Sequence, residues 1–187
     1  MPRIITGKAR GVKLVMPAGA LCRPTPGRTK EALFSILAGR VEGARVLDVF
    51  AGSGQVALEA LSRGAREAVM IENDHKALAA IAENIRPTKL EEGAVILAGD
   101  YRSQLKRLAR QQDRFDIIYL DPPWRHAADL LRQKADLLFA LLESSGMLII
   151  ETDGELLPQK LFDPVLSWLR SCQYGAGMLS FYQFKPD

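Results

Sequence analysis

A chain of 187 residues that is 48% hydrophobic carries enough apolar mass for one domain with a substantial core and too little for two full ones. No apolar run nears the about eighteen residues that span a bilayer, Met1-Pro2-Arg3-Ile4-Ile5-Thr6 has no signal-peptide core, and Cys22, Cys172 and two histidines lack ligand spacing. A cytoplasmic protein with free thiols and no metal is therefore expected, and its net charge of +3 divides unevenly: residues 1 to 40 hold eight basic residues against Glu31, or +7, and the rest sums to −4.

Such asymmetry predicts a polyanion-facing arm on a neutral catalytic body, with residues 1–40 as a basic RNA-binding extension and 41–187 as the main domain. In the arm, Thr6 to Val15 alternates partly and has glycines at turn positions, which reads as a hairpin. Pro17, Pro24 and Pro26 break the chain before a helix from about Arg28 to Ala38, where Ala32, Leu33, Ile36 and Leu37 keep helical spacing and Gly39 ends it. The appendage is too poor in apolar residues to fold alone and should dock on the body.

From residue 44 strands and helices alternate. Strands are predicted at Arg45 to Ala51, Ala68 to Glu72, Val95 to Gly99, Phe115 to Leu120 and Met147 to Glu151, and helices near 55–63, 75–86, 102–111, 126–143 and 159–171. Near-continuous Val/Ile/Leu runs fit parallel strands covered on both faces, hence a doubly wound α/β domain. After Tyr174-Gly175-Ala176-Gly177 there is no room for another crossover helix, so a tight turn should join the last two strands as an antiparallel pair at the sheet edge.

Val46-Leu47-Asp48-Val49-Phe50-Ala51-Gly52-Ser53-Gly54-Gln55-Val56-Ala57 is a buried strand entering a G-x-G-x-x-A turn and a helix. Its glycines let backbone approach a ligand, and Glu72, about twenty residues on at the end of the next strand, suits two ribose hydroxyls. Asp48 lies where it can face the α-amino group of a methionine moiety. Asp100 ends the third strand where an adenine amino group would sit, with Tyr101 beside it. Three acids favour a cationic, phosphate-free cofactor, S-adenosylmethionine, over NAD. Asn73, Asn84, His75 and His126 each read as a cap or solvated helix residue.

The fourth strand runs into Asp121-Pro122-Pro123-Trp124. A carboxylate, a carbonyl on a residue without N–H, and an aromatic face can together hold one planar amine, although a plain Pro-Pro turn has the same letters. Both motifs fall at the C-terminal ends of neighbouring strands, so the amine would lie near the methyl donor. Hydrogen bonds from the amine to Asp121 and to the Pro122 carbonyl favour a tetrahedral nitrogen with a free lone pair, while Trp124 fixes the ring.

With these motifs the chain resembles the RsmD-type bacterial methyltransferases, which modify a guanine N2 in 16S ribosomal RNA. The resemblance spans almost the whole chain: Arg3-Ile4-Ile5-Thr6-Gly7 with Arg10-Gly11, Arg23-Pro24-Thr25 with Arg28 and Glu31-Ala32-Leu33-Phe34, the Asp48 to Gly54 segment with Leu58 to Ala65, and Asp121-Pro122-Pro123. It implies a class I S-adenosylmethionine-dependent, Rossmann-like methyltransferase fold with a seven-stranded, mostly parallel sheet and an N-terminal hairpin and helix. It also implies a monomer acting on the assembled 30S subunit. Asp48, Phe50, Gly52, Ser53, Gly54, Glu72, Asn73, Asp100 and Tyr101 would line the cofactor, and Asp121 to Trp124 would hold guanine. Arg10, Arg23, Arg28 and Lys30 would meet RNA phosphates, with Thr25 and Arg28 alternatively closing over the methionine end. The family's usual tyrosine is Trp124 here, which keeps the stacking face and loses a hydroxyl. An N6-adenine methyltransferase on DNA or RNA, and a cofactor-binding ribosome assembly factor without turnover, remain the competing readings.

Overall fold

The structure is a computed structural model that describes residues 1–17, 27–122, 127–152, 154, 157, 159–175 and 177–185, with side chains for all of these but 127–130 and 132–133. In chain order it holds α1 (Gly27–Ile36), β1 (Arg45–Asp48), α2 (Gln55–Ser62), β2 (Glu67–Glu72), α3 (His75–Thr88), β3 (Ala94–Ala98), α4 (Tyr101–Arg110), β4 (Phe115–Leu120), α5 (Ala127–Leu141), β5 (Leu142–Thr152), β6 (Leu166–Tyr174) and β7 (Gly177–Phe184). The seven strands form one sheet in the order β3-β2-β1-β4-β5-β7-β6. The first five are parallel, and β7 inserts antiparallel between β5 and β6. This is the class I methyltransferase fold expected from the sequence.

Alternation along each strand explains why the runs are apolar throughout. Val46, Ala68, Met70, Ile117, Tyr119 and Ile149 enter one core cluster, whereas Leu47, Val69, Ile71, Ile118, Leu120 and Ile150 enter the other. A strand buried on both faces has no solvent side on which polar residues would alternate. The chain turns outward from β1 in both directions, to β2 and β3 on one side and to β4 and β5 on the other. The β1/β4 boundary is thus the switch point, and its C-terminal end is where such sheets open a crevice.

Two expectations need correction. The stretch 159–171 is not a helix: turns lead into β6 at Leu166. Leu161, Phe162, Val165, Leu166 and Leu169 mimic helical spacing, but Pro164 has no N–H and disfavours helical backbone at the residue before it. The hairpin is displaced as well, its arms being residues 2–4 and 12–14, joined by a single bridge between Arg3 and Lys13 and by Ile4 N–H to Val12 O (2.9 Å) and Leu14 N–H to Pro2 O (2.9 Å). Most of the region read as strands is the connecting turn.

The N-terminal segment docks on α2 through buried polar contacts as well as apolar ones. Ile4, Ala9 and Leu14 are buried with Leu33, Phe34 and Leu37 of the α1 region. Beneath them Glu59 is fully buried and accepts from the N–H groups of Ile5 (2.8 Å) and Thr6 (3.0 Å), from Lys30 Nζ (3.3 Å) and from Arg63 Nε (2.8 Å). Ser62 Oγ donates to Thr6 O and accepts from Ala9 N–H. A buried charge is tolerable when its lone pairs are filled this way.

Candidate active site

The site is built where β1 ends. After Asp48 the chain turns through Val49 to Gly54 and enters α2, with Gly52 (φ 56°) and Gly54 (φ 75°) in left-handed backbone that a side chain would strain. The two glycines serve different ends. A Cβ at Gly54 would lie 3.1 Å from Met70 Sδ and 3.4 Å from Ile81, so that position is fixed by packing; a Cβ at Gly52 would meet open space. Backbone is therefore left bare of neighbouring side chains at Gly52. Its N–H donates to Glu72 Oε2 (2.8 Å), and Glu72 Oε1 accepts from the N–H groups of Asn73 (2.7 Å) and Asp74 (2.9 Å).

A cleft of about 450 Å³ opens beside this loop, within the usual range for small-ligand sites. Phe50, Glu72, Asn73, Asp100 and Tyr101 line it together with Val49, Ile71, Asp74, His75 and Gly99. Five of the nine predicted cofactor residues thus share one wall-to-wall space. Phe50 and Tyr101 rings stand 5.0 Å apart, tilted by 50°, and offer two aromatic surfaces for a planar group. Asp100 caps α4 by accepting from Arg102 N–H (3.0 Å) and Ser103 N–H (3.3 Å), and Asp74 caps α3 through Ala77 N–H (2.8 Å).

Asp48 and Ser53 lie below the cleft surface, 1% and 3% exposed. Burial, then the nearby Asp121 and Glu72 carboxylates, push the Asp48 carboxyl up to about 8, against one opposing bond from Ala57 N–H. Among the described residues its Oδ1 has no hydrogen-bond partner. Crowded acids and an unfilled oxygen suit a cationic ligand, whose charge would restore the ionised form. Together with the bare Gly52 backbone and the Glu72 carboxylate, this donor set fits S-adenosylmethionine.

At the end of β4, Asp121 is half-buried and Pro122 buried; Pro123 and Trp124 lie outside the described residues. Below Asp121 sits a pair that sequence reasoning missed. Tyr119 donates to Glu151 Oε2 across the β4/β5 boundary, both buried. Burial, reinforced by Asp121, raises Glu151 to about 7, and burial with Glu151 holds Tyr119 well above its ordinary value. Asp48 pairs in register with Tyr119, and Glu151 lies two residues beyond Ile149, the register partner of Tyr119 on β5, so the three polar groups cluster on one face of three adjacent strands. Period-two alternation places them on one face, but nothing local marks a Glu in a strand as buried.

Asn84 also differs from its sequence reading. It is 2% exposed, not solvated: Oδ1 accepts from Val15 N–H (2.7 Å), and Nδ2 donates to Val15 O (3.0 Å) and to Ser53 O (2.9 Å). One side chain thereby ties the N-terminal segment to the glycine loop. His75 opens α3 at the cleft. Among the predicted phosphate contacts, Arg10 and Arg28 are exposed, and Arg23, like Thr25 and His126, lies outside the described residues. Lys30 is a correction. It is 1% exposed, paired with Glu59 and donating to Arg3 O (2.8 Å), so it cannot reach a phosphate.

Comparison with known proteins fits this geometry. A family model described as conserved hypothetical protein 95 matches residues 2–183. Ribosomal RNA small subunit methyltransferase D of Escherichia coli (strain K12) is 37% identical over 149 residues, 80% of this chain and 70% of that one. YlbH of Bacillus subtilis (strain 168), a candidate rRNA methyltransferase, is 32% identical over 184 residues, 97% of this chain and 98% of its own. Among solved structures, that of yhhF from Escherichia coli, a candidate methyltransferase, has a TM-score of 0.83 at 33% identity and covers 98% of each chain.

Proposed function

Because the chain belongs to the conserved hypothetical protein 95 family, that of the RsmD-type ribosomal RNA methyltransferases, we propose that it methylates the exocyclic N2 amine of a guanine in 16S ribosomal RNA. The observation that carries the reading is the placement of Asp121 and Pro122 at the end of β4, against the acid-lined end of β1 and β2. S-adenosylmethionine supplies the methyl group as an electrophile on a sulfonium.

Asp48, Glu72 and Asp100 hold the amino, ribose and adenine groups of that cofactor, with Phe50 and Tyr101 beside the ring and Gly52, Ser53, Gly54 and Asn73 shaping the loop around it. Asp121 and the Pro122 carbonyl accept hydrogen bonds from the target amine and orient its lone pair for in-line attack. Pro123 and Trp124 complete the grip, the indole by stacking. The target nitrogen would take the methyl with its lone pair as the pair of the broken sulfur–methyl bond stays on the leaving thioether, and Asp121 or water would accept the amine proton after transfer. Deprotonation beforehand is unnecessary, since geometry already frees the lone pair.

Residues 1–40 would grip the RNA through Arg10, Arg23 and Arg28, with the assembled 30S particle as substrate and a monomer as the working form. The experiment is nucleoside mass spectrometry after incubating the protein and S-adenosylmethionine with small subunits lacking the modification, with naked 16S RNA in parallel. N2-methylguanosine on the particle is the expected product. N6-methyladenosine as the sole product would overturn the base assignment, and no product despite cofactor binding would leave an assembly factor.

A further inference from the structure

The sequence drew attention to the basic N-terminus, but a second concentration of positive charge lies on α4. Arg102, Lys106, Arg107 and Arg110 are exposed, while Leu105 and Leu108 of the same helix are buried in the core. The helix has no acidic residue. Among the described residues none of these four cations pairs with a carboxylate. Asp113, just beyond the helix, is already engaged by Arg45 at 3.0 Å.

A merely solvated helix face ordinarily mixes signs, because i,i+4 pairs of opposite charge stabilise it and like pairs cost similar amounts. Here Arg102, Lys106 and Arg110 stand at i, i+4 and i+8, a single-sign stripe about 12 Å long at 1.5 Å per residue. Arg107 and Arg110 gain from the helix dipole at the C-terminal turn. Arg102 does not: it occupies the first turn, where a cation is disfavoured. Instead its guanidinium lies 5.3 Å over the Tyr101 ring and its Nε donates to Tyr101 Oη (3.2 Å). Tyr101 walls the cleft, so the stripe begins at the rim of the site.

The stripe also faces away from the arm. Leu105 and Leu108 pack in the cluster on one side of the sheet, and Ile4 and Leu14 in the cluster on the other. We propose that the basic stripe of α4 is a second phosphate-contacting surface, which binds the phosphodiester backbone of the substrate RNA on the side of the sheet opposite the N-terminal arm. This rests on the RNA-methylation reading of the site. A flipped base entering the crevice leaves backbone running off in both directions, and the two basic surfaces meet it on either side.

The test is the variant Lys106→Gln/Arg107→Gln/Arg110→Gln, which keeps good helix formers on an exposed face and leaves Tyr101 and Arg102 intact. Affinity for a 16S RNA transcript is measured by fluorescence anisotropy between about 50 and 200 mM salt. The slope of log K against log salt should fall by about 2 units, at about 0.7 to 0.9 for each lost phosphate contact. Affinity at low salt should drop by about tenfold, with S-adenosylhomocysteine binding and melting temperature unchanged. An unaltered slope and affinity in the folded variant overturns the proposal. Binding is read without turnover: an unaltered protein that binds the transcript but methylates no guanine on small subunits lacking the modification sinks the functional reading and still leaves the slope comparison decisive.

Discussion

Among the described residues Asp48 Oδ1 meets no hydrogen-bond partner, two other carboxylates lie near it, and its protonation sets the pH dependence expected of the site. With a folded value about 8 against 3.8 for the ordinary group, the native state keeps a proton that the unfolded chain has released. Stability is therefore greatest below about pH 4 as far as this group is concerned and declines as pH rises toward 8, by at most about 1.4 kcal/mol per pH unit. Glu151, raised to about 7, adds the same sign over a narrower window. Cofactor-free protein should melt at a higher temperature at pH 5 than at pH 8, and Asp48→Asn should flatten that difference; an unchanged pH profile in the variant would show that Asp48 is ionised throughout. If Asp48 holds the cofactor's ammonium as proposed, the carboxylate form is the one that binds, so S-adenosylmethionine affinity should tighten from about pH 6 to about pH 8, and Asp48→Asn should abolish the trend. Asp121→Ala removes the proposed hydrogen-bond acceptor for the amine and one of the charges that, after burial, raise Asp48. Methyl transfer should fall by about 10² to 10³ in kcat, with cofactor binding retained. Radiolabel incorporation at the wild-type rate would assign the chemistry elsewhere.

Elements transmit these residue effects because two of them share a joint. Asn84 of α3 holds both the end of the N-terminal segment and the carbonyl of Ser53, and no other described side chain bonds both. Asn84→Ala strands three backbone groups, each costing about 1–3 kcal/mol when buried unsatisfied, less whatever water recovers. Urea denaturation should show a loss near the lower end of that sum. Calorimetric titration should show weaker S-adenosylmethionine binding, since the glycine loop loses an anchor; wild-type affinity in a destabilised variant would confine Asn84 to structure. The joint also marks the limit of what sequence conveys. The glycine turn, Glu72 and Asp100 were legible because strand, turn and helix announce themselves over a few residues, and all lie where expected. Burial is a tertiary property: in sequence Lys30 is one more cation, and only the fold sets it on Glu59, just as only the fold encloses Asn84 between Val15 and Ser53. The segment 159–171 failed differently. Its apolar residues satisfy helical spacing and strand alternation about equally well from Leu166 on, and only pairing of β6 with β7 decides between them.

For the whole molecule, the sheet separates two positively charged surfaces, with the end of β4 proposed as the catalytic site between them. On the arm, Arg3, Lys8, Arg10 and Lys13 are exposed around the turn, with Arg28 at the start of α1. On the other side lies the α4 stripe. Local charge, rather than the net +3 of the chain, then sets the salt dependence of RNA binding. Charge reversal at Arg10 and Arg28 should lower affinity and flatten the salt slope without altering S-adenosylhomocysteine binding. Combined with the α4 glutamine variant, it should produce a slope change equal to the sum of the two, because the sites share no partner and lie on opposite faces. If both surfaces competed for one stretch of backbone, the combined variant would lose little beyond the more damaging set alone. Additive slopes therefore distinguish an RNA that straddles the crevice from one held on a single face, and only the straddling arrangement holds the backbone on both sides of a base held at Asp121.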